Sequence, residues 1–232
     1  IPYVGCGVLS SAVSMDKAFT KIIAKNAKIT QADFVCVMKD EIDKKSTISK
    51  IERKIGYPCF IKPANAGSSV GITKAHNSDE LKKGLSLAAE HDRKILVEKN
   101  IDGQEVECAV LGNGGNIQAS TVGEIFSAAE FYDYEAKYNN PESKTAIPAN
   151  LSQEKIDEIR NIAIKVFKAV DGSGLARVDF FVENDTGKVI FNELNTLPGF
   201  TSISMYPKLW EHMGKPIDVL IDELISLACC GK

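Results

Sequence analysis

The chain has 232 residues, of which 44% are hydrophobic, and this is enough apolar material for one large domain or two small ones. Its 28 basic and 31 acidic residues give a net charge of −3, and without a block of lysine and arginine a nucleic-acid-binding face is not expected. The three histidines are separated from one another and from the cysteines, which argues against a zinc site.

The cysteines indicate the cellular compartment of the protein, and the start of the sequence indicates a missing segment. The six cysteines lack paired CxxC spacing and lie mostly in apolar runs, which predicts reduced, buried thiols in a cytoplasmic protein. They are Cys6, Cys36, Cys59, Cys108, Cys229 and Cys230. No stretch has the length of a membrane span, and no signal-peptide pattern is present. Because the sequence begins at Ile1 without an initiator Met, we expect an N-terminal domain to be missing.

Helix and strand patterns alternate through the first half of the chain. Ser14 is placed to cap a helix that runs to Ala24, with Lys17, Lys21 and Lys25 on its polar side. Asn77 and Glu80 form a capping-box-like start for a later helix. The other predicted elements are strands over 33–38, 59–63, 94–99, 105–111 and 117–124, and a helix over 46–55.

The second half begins with a long segment, 125–148, that has no clear periodicity. It is dense in aromatic and charged residues, which predicts a lid, although its aromatics could instead pack the loop onto the body of the protein. Ser152 then begins a strongly periodic helix, and Pro216 suits the first turn of a final helix through Leu227.

Between those two helices, strands over 174–183 and 188–195 are joined by a polar turn, which predicts a hairpin. If the loop consists of residues 185–187 with Gly187 left-handed, residue 184 faces residue 188. Asp179 then lies opposite Glu193, and Arg177 lies opposite Asn195. The opposite face is expected to be apolar, with Asn192 as the exception; it carries Val178, Phe180, Val182, Ile190 and Leu194.

Asp179, Glu193 and Asn195 form a candidate metal site on this hairpin. Their oxygen ligands suit Mg²⁺, which usually completes its coordination shell with water and nucleotide phosphates. Arg177 beside them would face developing negative charge. The alternative is a solvated acidic edge of the hairpin.

A loop of small residues, 64–71, follows the strand that carries Lys62. Its backbone N–H groups and the hydroxyls of Ser68 and Ser69 could wrap a phosphate next to a cation. The Walker A order is absent, and a lone Gly-Ser loop is more often a hairpin turn. Glu98, Lys99 and Glu105 bracket a nearby strand break, where each could simply be a surface charge.

Taken together, these motifs resemble the central and C-terminal parts of the D-alanine:D-alanine ligases of the ATP-grasp superfamily, over essentially all 232 residues. The motifs are Gly5 to Ser11 with Met15-Asp16-Lys17, the Gly67 to Gly71 loop, Tyr132 to Tyr138, Arg177-Val178-Asp179, and Glu193 to Gly199. The resemblance implies an α+β fold in which two subdomains grip the nucleotide between antiparallel sheets. Residues 1–16 would link to the missing N-terminal domain, 17–104 form the central subdomain, and 105–232 form the C-terminal subdomain with the lid at 125–148.

The resemblance also implies how the nucleotide is bound. ATP would be held with two Mg²⁺ or Mn²⁺ ions on Asp179, Glu193 and Asn195. The remaining nucleotide contacts would come from Lys17 and Lys62 at the phosphates, Glu98 and Lys99 near the adenine, Glu105 at the ribose, and Lys137.

In the family's chemistry, a D-alanine carboxylate attacks the γ-phosphate, and the amine of a second D-alanine displaces phosphate from the acyl phosphate. Arg177 and the Gly199 N–H would stabilise the tetrahedral intermediate, while Tyr138 on the lid would bond to Ser68. The second substrate would contact Lys137, Ser204 and Met205, although Met205 could equally serve helix packing. A glutamate of the missing N-terminal domain would hold the first substrate, and a homodimer through that domain is expected.

Three other interpretations remain open. A D-alanine:D-serine ligase differs by one hydroxyl in its second substrate, whereas D-lactate ligases that resemble this sequence carry histidine in place of Tyr138. Other ATP-grasp ligases with a different acceptor share the metal residues but not the lid and Gly67-Ser68-Ser69 motifs as a set. A nucleotide-binding module without catalysis is the third, although the metal and lysine positions are all present.

Overall fold

A computed structural model describes residues 1–126 and 144–229 of the chain. The helices of these residues are α1 (Val8–Met15), α2 (Lys17–Asn26), α3 (Lys45–Lys54), α4 (Ser78–His91), α5 (Gln153–Ala169), α6 (Met205–His212) and α7 (Ile217–Cys229). The strands are β1 (Phe34–Met38), β2 (Cys59–Pro63), β3 (Thr73–Ala75), β4 (Lys94–Lys99), β5 (Gly103–Asn113), β6 (Asn116–Phe126), β7 (Lys144–Ala146), β8 (Gly174–Glu183) and β9 (Val189–Asn195).

The first sheet is built from the first half of the chain in the order β1-β4-β2-β3, with antiparallel neighbours. Alternate strand residues face a core with α3 and α4 that includes Ile51, Ile61 and Leu85. Helix α4 begins as predicted, because the Asn77 side chain accepts hydrogen bonds from the backbone N–H groups of Asp79 and Glu80.

The second sheet has the order β7-β6-β5-β8-β9 and is also antiparallel. The apolar stripe of α5 packs on one face, where Ile159, Val166 and Phe167 are buried against β8 and its neighbours. Helices α6 and α7 cover one end of the other face. Two antiparallel sheets, each packed against helices, confirm the predicted α+β class.

The helix predicted from Ser14 to Ala24 is wrong as a single element, because the chain breaks at Asp16. The Asp16 carboxylate caps α2 by accepting hydrogen bonds from the N–H groups of Ala18 and Phe19, at 3.0 and 3.1 Å. After the break, α2 presents a different face to the protein interior from the one predicted. Lys21, predicted on the polar side, is only 2% exposed, whereas Ile22 is 55% exposed.

The β8–β9 hairpin has the predicted residue pairs near its open end, but its turn and the pairs next to the turn differ from the prediction. Gly187 is left-handed as predicted (φ 65°), yet the N–H of Glu183 donates to Lys188 O, so the loop has four residues instead of three. Asn184 does not pair with residue 188, because its N–H donates to Asp102 O.

A β-bulge at Asn192 restores the predicted register beyond that turn. Phe180 pairs with Phe191, but Asp179 pairs with Glu193, which leaves Asn192 as an extra residue. The bulge explains why Asn192 does not fit the apolar face. It also corrects the prediction for Ile190, because Val189 and Phe191 join Leu194 in the core beneath α5, whereas Ile190, although buried, lies outside that core and opposite Phe181.

The cysteines are free thiols in the described part of the chain, but they are not uniformly buried. Cys6, Cys59 and Cys108 are buried, whereas Cys36 and Cys229 are exposed, contrary to prediction. Cys230 lies outside the described residues. No helix of the described ranges is long and apolar enough to cross a membrane.

Candidate active site

The predicted metal residues lie together on the face of the second sheet that α5 does not cover. Asp179 and Glu193 are cross-strand partners, as are Arg177 and Asn195. The Asn195 amide donates to Asp179 Oδ2 at 3.0 Å. The hairpin therefore brings the predicted trio and Arg177 onto one surface.

Arg177 is held by carboxylates on two strands. Its Nε and Nη2 donate to the two carboxylate oxygens of Asp179, each at 2.7 Å, and its Nε also lies 3.1 Å from Glu107 Oε2. Burial disfavours the guanidinium charge, but Asp179 and Glu107 outweigh it and raise the pKa of Arg177 above its ordinary value. The site therefore contains a cation that stays charged and has little freedom to turn.

Glu107 is a site residue that sequence reasoning missed. It is 3% exposed on β5, directly opposite Asp179 of β8. Glu105 and Glu107 share a strand face because side chains alternate along a strand. The Glu105-Val106-Glu107 pattern was the available signal, since it places a second acid beside the predicted ribose contact.

A buried ion-pair cluster lies on the first sheet. Glu98 is 3% exposed, and its Oε1 lies 2.5 Å from Lys21 Nζ while its Oε2 lies 2.6 Å from Lys62 Nζ. Burial disfavours ionisation of Glu98, but the two lysines outweigh it and lower its pKa to about 2. Lys62 also donates to Asn192 Oδ1 at 3.3 Å, so the cluster reaches the bulge on the second sheet.

Lys17 is the second contact between the sheets. Lys17 is the first residue of α2, and its Nζ donates to Ala66 O at 2.7 Å and lies 3.4 Å from Glu193 Oε2. Its backbone N–H donates to Ala64 O. The start of α2 is thus joined both to the loop of small residues and to Glu193 of the predicted metal set.

The loop of small residues connects β2 to β3, which are antiparallel neighbours, so it is a hairpin connection as the plainer interpretation proposed. Its backbone is unusual all the same, because the consecutive residues Ser68 and Ser69 are left-handed, with φ of 50° and 59°. Non-glycine residues adopt this conformation at a cost that is often found at ligand-binding sites. A role for Ser68 in binding stays a prediction.

Gly199 and Ser204 meet just beyond β9. A Cβ on Gly199 would lie 2.7 Å from Ser204 Oγ, so the glycine permits a close approach. Ser204 Oγ accepts a hydrogen bond from the Thr201 N–H at 3.0 Å. Met205 is 7% exposed and packs towards Gly123 in the core of α6 and α7, which is the helix-packing role considered for it.

Of the remaining predicted contacts, some lie near the site, some point away from it, and some lie outside the described residues. Lys99 is exposed and, as the neighbour of Glu98 on β4, its side chain leaves the strand on the other face. Burial lowers the pKa of Lys62, but the nearby carboxylates, Glu98 first and Glu105 on β5 with a smaller effect, outweigh it and raise that pKa. Lys137, Tyr138 and most of the predicted lid lie outside the described residues.

The donor set suits a hard cation without being a ready-made cage. The described residues contain no cluster of three His, Cys, Asp or Glu side chains that could hold a metal, and the third member of the predicted set is the amide of Asn195. Two carboxylates and an amide oxygen are ligands of the kind that Mg²⁺ takes, with water and phosphate completing the shell. Arg177 and Lys17 supply the positive charge beside Asp179 and Glu193. The residues present therefore fit a phosphate-associated Mg²⁺.

Comparison with known proteins gives consistent matches. A family model described as D-ala D-ala ligase C-terminus matches residues 23–226. A D-alanine–D-alanine ligase of Acetivibrio thermocellus is 59% identical over 230 residues, covering 98% of this chain and 61% of the relative. The chain thus spans about three fifths of that relative's length.

Two solved structures are similar over almost the whole chain. The VanG D-Ala:D-Ser ligase from Enterococcus faecalis has a TM-score of 0.89 and 40% identity, covering 98% of this chain and 65% of the other. The D-alanine-D-alanine ligase from Coxiella burnetii has a TM-score of 0.85 and 39% identity, covering 98% of this chain and 60% of the other.

Proposed function

Since the chain belongs to the D-Ala–D-Ala ligase family and has its ATP-grasp fold, we propose that the protein joins two D-alanine molecules at the expense of ATP. The product would be D-alanyl-D-alanine for peptidoglycan, made in the cytoplasm, where free thiols such as those of this chain stay reduced. The observation that supports this most directly is the set of contacts that joins the two sides of the predicted site. Lys17 and Lys62 of the first sheet's side approach Glu193 and Asn192 of the second.

The reaction has two steps with a reactive intermediate between them. The carboxylate of the first D-alanine attacks the γ-phosphorus of ATP, which releases ADP and leaves an acyl phosphate. The amine of the second D-alanine then attacks the acyl carbon, loses a proton, and displaces inorganic phosphate as the amide forms. The protein must therefore neutralise phosphoryl charge, hold the reactants in line and exclude water.

Charge neutralisation is assigned to groups on both sides of the cleft. Lys17 and Lys62 would contact the phosphates, exchanging their present partners Ala66 O and Glu98 for phosphate oxygens. Asp179, Glu193 and Asn195 would hold two Mg²⁺ or Mn²⁺ ions, which supply further positive charge at the phosphates when bound. Lys137, Glu105, Glu98 and Lys99 complete the nucleotide contacts that the family implies.

The acyl-transfer step is assigned to groups at the open end of the β8–β9 hairpin. Arg177, kept charged and fixed by Asp179 and Glu107, suits the oxygen that becomes negative in the tetrahedral intermediate. The Gly199 N–H is proposed as its second donor, and Ser204, beside Gly199, would hold the second substrate's carboxylate with Lys137. Tyr138 with Ser68 would close the site.

A D-alanine:D-serine ligase is the second candidate, favoured by the similarity to the VanG structure. The two solved structures, at 40% and 39% identity, do not separate the candidates, but the 59% identity to the D-alanine–D-alanine ligase of Acetivibrio thermocellus favours D-alanine as the second substrate. Burial of Met205 away from the surface leaves Ser204 as the polar side chain that could discriminate a hydroxyl.

The test is identification of products from the full-length enzyme with ATP and Mg²⁺. D-Alanine is offered alone, then in equal mixture with D-serine or D-lactate, and dipeptides are identified by mass spectrometry alongside ADP release. D-Alanyl-D-alanine as the dominant product of every mixture is expected. A dominant D-alanyl-D-serine would move the assignment to the second candidate, and no ADP release with any of them would overturn both.

A further inference from the structure

Lys21 is a buried charge on α2 that the proposed reaction does not use. Only 2% of the residue is exposed, and its ammonium lies 2.5 Å from Glu98 Oε1. Lys62 occupies the other carboxylate oxygen of Glu98 at 2.6 Å. One carboxylate therefore has a separate lysine for each oxygen.

The second lysine is more than Glu98 by itself requires, and Lys62 is also attracted by Glu193 and Glu105. A single ion pair would neutralise Glu98, and burying a further ammonium is unfavourable. That cost is visible at Lys21, because burial dominates the attraction of Glu98 and lowers the pKa of the lysine. With a lysine on each oxygen, Glu98 keeps a counter-ion even if one of the two lysines moves away.

Lys62 is the lysine that can leave. Its ammonium already reaches across the cleft to Asn192 Oδ1 at 3.3 Å, next to the proposed metal ligand Glu193. The Lys21 ammonium stays on the side of the first sheet, because it lies 2.5 Å from Glu98 Oε1 and 6.0 Å from the centre of the Phe34 ring of β1. When Lys62 turns towards a phosphate, Glu98 would otherwise be buried without a counter-ion.

We propose that Lys21 is a positioning residue that keeps Glu98 neutralised, so that Lys62 is released to bind a nucleotide phosphate. The inference rests on the proposed function, because it takes Lys62 to be a phosphate contact. Without Lys21, the full attraction of Glu98 falls on Lys62, and nucleotide binding must first break that pair.

The test is a double-mutant cycle on nucleotide affinity in the full-length enzyme. The Kd for ATP with Mg²⁺ is measured by calorimetry for wild type, Lys21→Met, Glu98→Gln and the double variant. Lys21→Met is expected to weaken binding about tenfold or more, because the competent orientation of Lys62 becomes rare. In the Glu98→Gln background the same change is expected to cost less than about threefold, since no carboxylate remains to hold Lys62.

Two further variants separate this role from simple packing. Lys21→Arg keeps the charge and is expected to bind within about threefold of wild type. Lys25→Met removes an exposed lysine one turn along the same helix and is expected to leave the Kd unchanged. If Lys21 only attached α2 to the sheet, its loss would weaken binding equally with and without the Glu98 carboxylate.

Each outcome has one meaning. A folded Lys21→Met variant with wild-type affinity, or an equal loss in both backgrounds, overturns the inference. If Lys21→Met does not fold, the double variant is compared with Glu98→Gln alone, and equal affinities support the inference while a tenfold difference overturns it. Failure of wild type to bind ATP would instead overturn the proposed function.

Discussion

Individual charges in the cleft are stabilised by partners from other elements. Glu98 and Asp179 are nearly inaccessible to solvent and Arg177 is partly buried, and each lies within ion-pair distance of an oppositely charged group. A buried charge that loses its partner is strongly destabilising, whereas the intact pair contributes modestly. These residues therefore tolerate only substitutions that respect the local charge balance.

The first prediction concerns the acid sensitivity of Glu98. Its pKa is about 2 in the folded state against 4.5 ordinarily, so its stabilisation is complete above pH 4.5 and is lost as the pH falls towards 2. Glu98→Gln should lower the free energy of unfolding by roughly 3 kcal/mol at pH 7, and the gap to wild type should narrow by about 1 kcal/mol at pH 3.5. Urea unfolding at both pH values measures this.

The control for that experiment is Glu90→Gln, which changes an exposed carboxylate at the end of α4. Its gap to wild type should stay within about 0.5 kcal/mol at both pH values. If the difference in free energy of unfolding between wild type and Glu98→Gln became larger at low pH, the lowered pKa assigned to Glu98 would be wrong.

At the scale of single elements, α2 and the β8–β9 hairpin determine where the proposed site residues lie. The Asp16 cap begins α2 at the point where Lys17 meets the loop of small residues. The Asn192 bulge turns β9 so that Asn192 faces Lys62 while Glu193 remains opposite Asp179. The cap and the bulge are both local irregularities, and the regular periodicity of helices and strands does not predict them.

The second prediction concerns the Asp16 cap. Its carboxylate accepts two backbone hydrogen bonds and pairs with Lys94 at 2.5 Å. Asp16→Ala should therefore lower the free energy of unfolding by about 2 to 4 kcal/mol, from the lost cap and the partly buried lysine left without its partner. Equilibrium urea unfolding provides the measurement.

Asp16→Asn separates the two contributions, because asparagine can still cap the helix but cannot neutralise Lys94. We expect it to be more stable than Asp16→Ala by about 1 kcal/mol. Equal stability of the two variants would show that the cap contributes nothing at this position.

At the scale of the whole molecule, two sheets with separate cores meet through α2 and a few charged contacts. The core of the first sheet, with α3 and α4, shares no residue with the core beneath α5. Lys17 and Lys62 extend from one side to Glu193 and Asn192 on the other. A ligand that replaces these contacts with stronger ones would stabilise both halves together.

The third prediction is therefore Mg²⁺-dependent protection by ATP. At about 100 times its Kd, ATP with Mg²⁺ should raise the free energy of unfolding by about 2.7 kcal/mol and the melting temperature by roughly 5 to 10 °C. Asp179→Asn should lose at least half of that increase, because it removes a ligand charge from the proposed metal set. Differential scanning fluorimetry with and without Mg²⁺ measures the increase for each protein separately.

Asp185→Asn serves as the matched control, since it changes an exposed aspartate in the turn of the same hairpin. It should retain the full increase in melting temperature. If Asp179→Asn also retained the full Mg²⁺-dependent increase, the metal assignment would be wrong.

The sequence by itself determined most strands, the α5 helix and the surface on which Arg177, Asp179, Glu193 and Asn195 meet. Local periodicity carries that information, because a strand's alternation decides which side chains share a face. Even so, the agreement at Asp179 and Glu193 depended on two deviations that compensate, a longer turn and the Asn192 bulge.

Only the tertiary structure decided which charges are buried. Lys21 and Glu107 look like ordinary surface residues in the sequence, and each becomes part of a cluster because a carboxylate or guanidinium from another segment approaches it. Asp16, which caps α2 locally, also gains a distant partner, Lys94, 78 residues away. Such long-range pairs decide which charges can be buried, and a single sequence contains no signal for the partner's position.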